Sequence, residues 1–412
     1  MPFAARHFHR IDTPFRNSLG RLERLIRPLL YAAFALTWTI SAEATNDGIR
    51  FSCSPAQLAA VNAGMRQYLQ ALQIDPALIH TDDQRTQGAL GYSLATPLHD
   101  TNTLDLHRRP SWRIQEEIIT LPARAGKFRR VSTVSKKEIL LALLQHGRLT
   151  EFAGTACSVT ALKEHIALRQ NIVAWAEHLH LGWPNGGPAR WNPHYWQRGT
   201  PQTGIALPAA LQDAFDASSQ YVLGCYTATK LIITQGVVDY FRRVQGDPLL
   251  SAQVHRRLYA DDDPLVNIEP PEMWSFEADF DPALNQQSGK LLSLSHGHAP
   301  RNFVPGDWAY LLNTDPQSAG LIGYEGSNAL YLGRDRFADL YNDNRHAYSH
   351  RQKIDEVYQW RNGVFSRSRD AAKIRKLSES DYERLEKTPA QGGLVLDLRA
   401  TPHLFGHAPL PD

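Results

Sequence analysis

The sequence predicts an α+β protein, with helices first, a small antiparallel sheet after them, and an N-terminal extension ahead of both. Apolar residues recur at three- and four-residue steps through Ala161, Leu162, His165, Leu168, Ile172, Trp175, Ala176 and Leu179, which is helical spacing. From Phe303 onward the pattern changes to short runs, Trp308 to Leu312 and Asn328 to Leu332, punctuated by Gly306, Gly326 and Gly333, which read as strands. The 412 residues are 42% hydrophobic and 21% charged, a composition that builds a folded core rather than a disordered chain. Lys and Arg number 44 against 42 Asp and Glu, a net charge of +2, so the basic excess that binds phosphate backbones is missing and no nucleic-acid partner is expected.

Residues 1–44 read as a signal peptide. Arg6, Arg10, Arg16, Arg21, Arg24 and Arg27 precede the apolar run Pro28 to Ile40, which is short for a membrane span, and Ala42-Glu43-Ala44 offers small residues where a signal peptidase reads. The alternative is an uncleaved amphipathic anchor. Cleavage leaves no stable membrane span, and either reading puts the body outside the cytoplasm, secreted or periplasmic.

Residues 45–150 form an extension of unassigned role. A short helix is expected over Ser54 to Leu72, with turns at Asp75-Pro76 and Thr96-Pro97. A surface connection or extended arm follows over Thr101 to Val131. Ser135-Lys136-Lys137-Glu138 has the spacing of a capping box and opens the apolar run Ile139 to Leu144, which ends before Gly147. Residues 151–365 are the candidate catalytic domain, beginning with a helix over Ser158 to Leu181 that the Trp183-Pro184-Asn185-Gly186-Gly187-Pro188 stretch terminates. A loop with Trp191, Tyr195 and Trp196 leads to a short helix, Ala209 to Ala217, and a further helix is expected over Val237 to Leu258. Asp261 to Pro300 reads as loop and 366–412 as a C-terminal tail.

Cys53, Cys157 and Cys225 are the three cysteines. An odd count in an oxidising compartment leaves one thiol over, so Cys53 and Cys157 are available to pair if Cys225 is reactive; three buried thiols are the alternative. Cys225 follows Gly224 and opens an apolar helical segment, where backbone N–H groups stabilise a thiolate and a glycine admits a substrate backbone. A buried small hydrophobe at the start of a core helix fits the same segment. His165, His178 and His180 are the nearest approach to a metal set, but residues two apart point to different sides of a helix, and they read as surface or core histidines. With no calcium-loop pattern either, neither a metal nor another cofactor is expected.

Val304 to Leu312 and Gly326 to Gly333 resemble the two strands of NlpC-type, papain-like enzymes, in which a cysteine on a helix N-terminus faces a base that opens the second strand. A fuller resemblance is to the spore-coat type of bacterial transglutaminase. Arg169-Gln170-Asn171-Ile172-Val173-Ala174, Tyr195-Trp196, Tyr221 through Ala228, Gly306-Asp307 and Asn328 through Gly333 fall in that family's order, between about Phe152 and Arg361. The resemblance implies a papain-like core and a Cys225 nucleophile. It also implies a glutamate just before the Asn and an acid just before the cysteine, where this chain has Ser327 and Gly224. Glu325, two residues before Ser327 and so on the same side of an extended strand, is expected as general base. His346 corresponds to the family's later histidine, with His296, His298 and Asp339 as alternatives. Trp196, Tyr221, Gly224 and Trp308 are the expected substrate-binding residues, with Trp183 and Trp191 as further walls against water, and core packing is the competing role for each tryptophan. Asp307 reads as fixing the turn into its strand.

The activity implied is protein-glutamine γ-glutamyl transfer: Cys225 takes the acyl group of a glutamine side chain as a thioester and a lysine or other primary amine resolves it. The partners are therefore proteins carrying glutamine and lysine. A cysteine amidase or peptidase acting on cell-wall peptides, and a non-catalytic envelope protein that keeps the fold, are the competing readings.

Overall fold

The computed structural model describes residues 47–182, 188–197, 199–260, 292–294, 299, 301–313, 326–338, 340, 347–361, 378–385 and 394–402. The expected leader, the base candidates Glu325 and His346, their alternatives His296, His298 and Asp339, and Trp183 lie outside them. By chain contacts Met1–Glu43 is one unit and Ala44–Asp412 another. The 45–150 segment therefore belongs to the same compact unit as everything that follows it.

That unit is α+β, as expected, with two larger sheets. The first begins with β1 (Gly48–Ser52), β2 (Ile79–Gln84) and β3 (Ala89–Leu94). Between β1 and β2, α1 (Pro55–Ala71) starts at Ser54, whose hydroxyl caps Gln57 N while the Gln57 side chain returns to Ser54 N, a complete capping box. Thr101 to Val131 is not the extended arm of the sequence reading. Its second half is a hairpin, β4 (Glu117–Pro122) against β5 (Phe128–Thr133), whose alternation is obscured because Ile118 and Phe128 are exposed apolar residues and Arg129 is partly covered by Asp216.

In α2 (Lys136–Leu144) Ser135 caps Glu138 N, but the other half of the expected box is not made. The buried Glu138 carboxylate instead accepts the Arg334 N–H at 2.6 Å, and its second oxygen has no partner. The chain then makes β6 (Leu149–Ala153), parallel to β1, which completes a four-stranded sheet in the order β2-β3-β1-β6.

Two buried helices form the centre. In α3 (Val159–Ala176) the helix stops before the predicted Leu181, because Leu181 N–H turns to Leu340 O and Gly182 bridges Val222. After a two-residue ribbon, β7 (Trp196–Gln197) with β8 (Thr200–Pro201), come α4 (Leu207–Asp216) and α5 (Cys225–Asp239). A Cβ on Gly236 would lie 2.7 Å from Ile172 Cα, so glycine is what lets α5 approach α3 this closely. The helix expected over Val237 to Leu258 is broken: α5 runs into a π-turn over Tyr240–Gln245, left-handed Gly246 (φ 68°) interrupts it, and α6 (Pro248–Ala260) restarts with Asp247 capping Leu249 and Leu250.

The second sheet is antiparallel with six strands, in the order β13-β12-β11-β10-β14-β9. Its members are β9 (Leu292–Leu294), β10 (Trp308–Asn313), β11 (Gly326–Gly333), β12 (Arg336–Ala338), β13 (Ala347–Tyr348) and β14 (Leu394–Pro402). The stretch read as a C-terminal tail thus supplies a strand lying between β10 and β9. Two short helices, α7 (His350–Arg361) and α8 (Glu379–Leu385), complete the described chain. Strand alternation divides β11 cleanly. Leu330 and Leu332, with Trp308 of β10, join the main core, while Ala329 and Tyr331 pack with Ala309, Phe303, Phe337 and Leu104 in a separate cluster.

Buried charge ties the sheet to the rest. Asp307, ahead of β10, accepts from Arg148 at 2.5 Å and from Arg169 of α3 at 2.7 Å, and all three are buried. Burial alone would push the Asp307 carboxyl up, but the Arg148 and Arg169 guanidiniums outweigh it and hold it below its ordinary value. Arg169 pays for its burial in a pKa lowered to about 10, which the Asp307 charge opposes. Asp307 also accepts Val304 N–H at 2.8 Å, which fixes the turn into β10 as the sequence suggested.

Candidate active site

Cys53 and Cys157 form a disulfide, with Cα atoms 6.2 Å apart, and Cys225 is the free cysteine. Half-buried Cys225 is the first residue of α5, with Gly224 as N-cap in an extended conformation. Its N–H points out of the helix end, where the first turn has no intrahelical acceptors. The first turn also holds no acidic side chain, so no carboxylate of its own competes for that end. A Cβ on Gly224 would meet nothing within 4 Å, so the position where the resembling family carries an acid is open space here.

The side chain that meets the thiol is Asn328. Its Nδ2 donates to Cys225 Sγ at 3.7 Å, and its Oδ1 accepts the Trp308 indole N–H at 2.9 Å. Asn328 and Trp308 are both buried, and the Trp308 ring lies 5.3 Å from that of Tyr226, the residue after Cys225. The sequence reading missed Asn328 because it took position 327 as the one facing the thiol. In the sheet Ser327 shares the face of Ala329 and Tyr331, and Asn328 that of Leu330. Ser327 is therefore not on the thiol side of β11, and Glu325 lies outside the described residues. The signal that would have found Asn328 is the antiparallel register, in which β10 supplies its indole partner.

The other expected binding residues separate. Gly224 adjoins Cys225 and is half-buried. Trp308 belongs to the site as the hydrogen-bond donor to Asn328 rather than as an exposed wall. Trp196 and Tyr221 are both buried with intramolecular hydrogen-bond partners. Trp196 is buried, donates to Ala210 O at 3.2 Å and lies 5.0 Å from the Trp191 ring. Tyr221 is fully buried, and its hydroxyl donates to Asp213 at 2.7 Å; burial and that carboxylate drive its pKa upward. Both hold the loop leading into Cys225, since Asp213 also accepts from Asn192 and Tyr221 O accepts Gly182 N–H.

Several residues that carry the family resemblance prove to be fold-holding. Arg169 binds Asp307, and Asn171 donates to Gly236 O and Asp239, which also accepts the Trp175 indole N–H. Among the described residues no group of three His, Cys, Asp or Glu side chains is arranged to hold a metal, and no helix is long and apolar enough to cross a membrane.

A family model described as protein-glutamine gamma-glutamyltransferase matches residues 125–387. Among solved structures, a transglutaminase from Geobacillus stearothermophilus (without C-terminal extension) is similar at 17% identity and a TM-score of 0.34, over 59% of this chain and 93% of that one. No curated protein matches the chain.

Proposed function

The chain belongs to the protein-glutamine gamma-glutamyltransferase family of acyltransferases, and on that premise we propose that Cys225 carries the acyl group between a glutamine side chain and an amine as a thioester. The observation that carries this reading is the free thiol itself. Of three cysteines two are bonded to each other, and the third stands at a helix N-terminus against a buried amide donor.

In the first half-reaction the sulfur lone pair forms the S–C bond while the amide π pair moves onto oxygen. The thiol proton passes to a base and from it to the departing nitrogen, so that ammonia leaves as the C–N bond breaks. In the second, a lysine amine attacks the thioester, loses a proton to the same base, and the S–C bond breaks with the sulfur recovering a proton. The products are an isopeptide cross-link and the starting enzyme. For the base we keep Glu325 and His346 as the candidates, on sequence grounds. Oxidation of Cys53 and Cys157 supports a secreted or periplasmic location, because reducing compartments keep such pairs as thiols.

Incubation of the mature chain with a glutamine-bearing protein and a labelled primary amine tests the proposal. Stable incorporation that disappears in Cys225→Ala is the expected result. Amide or peptide hydrolysis without incorporation supports the hydrolase reading, and neither activity supports the non-catalytic one. Glu325→Gln and His346→Ala then separate the bases: loss of general-base catalysis lowers turnover by roughly a hundredfold or more in the variant that removes it.

A further inference from the structure

The proposed chemistry puts negative charge on an oxygen beside the Cys225 sulfur, and the helix end provides one N–H for it. Resting on that reading, we propose that the Asn328 side-chain amide is the second oxyanion donor, and that Trp308 is the residue that positions it.

The orientation of the amide follows from hydrogen-bond chemistry. An indole N–H donates and cannot accept, so the Asn328 oxygen must be the atom that faces Trp308 Nε1, at 2.9 Å. The NH2 group is then left toward Cys225 Sγ, at 3.7 Å. Neither residue has room to turn away: Asn328 is 4% exposed and Trp308 1%, and both stand on paired antiparallel strands, with Trp308 opposite Leu330 and Asn328 opposite Tyr310. The amide dipole is thus fixed before substrate arrives, and such preorganised dipoles are what stabilise developing charge.

The distance also fits. In the tetrahedral adduct the oxygen is bonded to the carbon that the sulfur has attacked, within about 3 Å of that sulfur, and a useful donor sits at roughly 3 Å from the oxygen. A nitrogen 3.7 Å from Sγ reaches that position on the Asn328 side of the thiol, while the Cys225 N–H approaches from the helix side. Two donors converge on one oxygen, from α5 and from β11, the two elements that meet at the thiol.

Oxyanion stabilisation and thiol reactivity are separable, because alkylation by iodoacetamide displaces iodide from a saturated carbon and builds no charge on oxygen. Wild type, Asn328→Ala and Trp308→Phe would be compared in three assays: amine incorporation, acylation of Cys225 by p-nitrophenyl acetate, and alkylation of Cys225 by iodoacetamide. Asn328→Ala is expected to lose roughly a hundred- to a thousandfold in both acyl reactions, as single oxyanion donors do, with a far smaller change in alkylation that reflects the lost contact to the sulfur. Trp308→Phe keeps the amide but frees it to turn, and should show a smaller loss with the same split. Equal losses in acylation and alkylation, or wild-type acylation in Asn328→Ala, overturn the assignment. If Asn328→Ala does not fold, the same split in Trp308→Phe decides. A wild type that incorporates no amine but is acylated in an Asn328-dependent way refutes the transferase reading while the oxyanion assignment stands.

Discussion

Glu138 makes the stability of this protein depend on pH near neutrality. Its carboxyl is buried in the first turn of α2, and desolvation raises its pKa from 4.5 to about 7 against the opposing effect of the Arg334 N–H it accepts. A folded-state pKa above the unfolded one means that the native state takes up the proton more readily. The contribution is therefore full below about pH 4.5 and is lost as pH rises through about 7. The shift, 7 − 4.5 = 2.5, corresponds to about 3 kcal/mol at 1.36 kcal/mol for each pH unit. Glu138→Gln keeps an oxygen for the Arg334 N–H and removes the titration. Urea denaturation of both proteins at intervals from about pH 4.5 to 7.5 should show the variant gaining on the wild type by most of that 3 kcal/mol as pH rises. Curves that stay parallel across this range would refute the reasoning, since they would mean that the carboxylate is solvated or paired in its charged form.

Asp307→Asn leaves Arg148 and Arg169 buried without their counter-charge, and about 3–5 kcal/mol of stability should be lost, read as a lower denaturation midpoint at neutral pH. Gly236→Ala gains helix propensity but sets a methyl 2.7 Å from Ile172 Cα. The strain should win, with a net loss of about 1–3 kcal/mol by thermal denaturation and no change in Cys225 alkylation.

What could be read from the sequence was local. Ser54 and Gln57 announce the start of α1 because a capping box is closed within four residues, and the helical spacing from Ala161 to Ala176 survives in α3 because that helix is buried nearly all round. Trp308 to Leu312 and Asn328 to Leu332 hold as strands because each is apolar and bounded by glycine. What failed depended on partners far along the chain. Glu138 gave up its box to bind Arg334, and the predicted helix through Leu181 ended early because Leu340 O and Val222 claimed its last residues. The same applies at the site: the family resemblance directed attention to position 327, but which side of β11 faces the thiol is set by its register with β10. Cys225, whose helix end and glycine are adjacent in sequence, was legible; Asn328, whose role depends on an indole twenty residues earlier, was not.

The Cys53–Cys157 bond makes the intervening stretch a covalent ring, spanning a sequence separation of 104. A protease that cuts once inside it, for instance at the exposed Phe128 side of the β4–β5 hairpin, opens the ring without releasing a fragment. The Cys225 helix, which lies on the C-terminal side of the bond, stays attached to β1 and the chain before it through the sulfur atoms. A nicked molecule would therefore run as one species on a gel until a reducing agent is added, and as two afterwards.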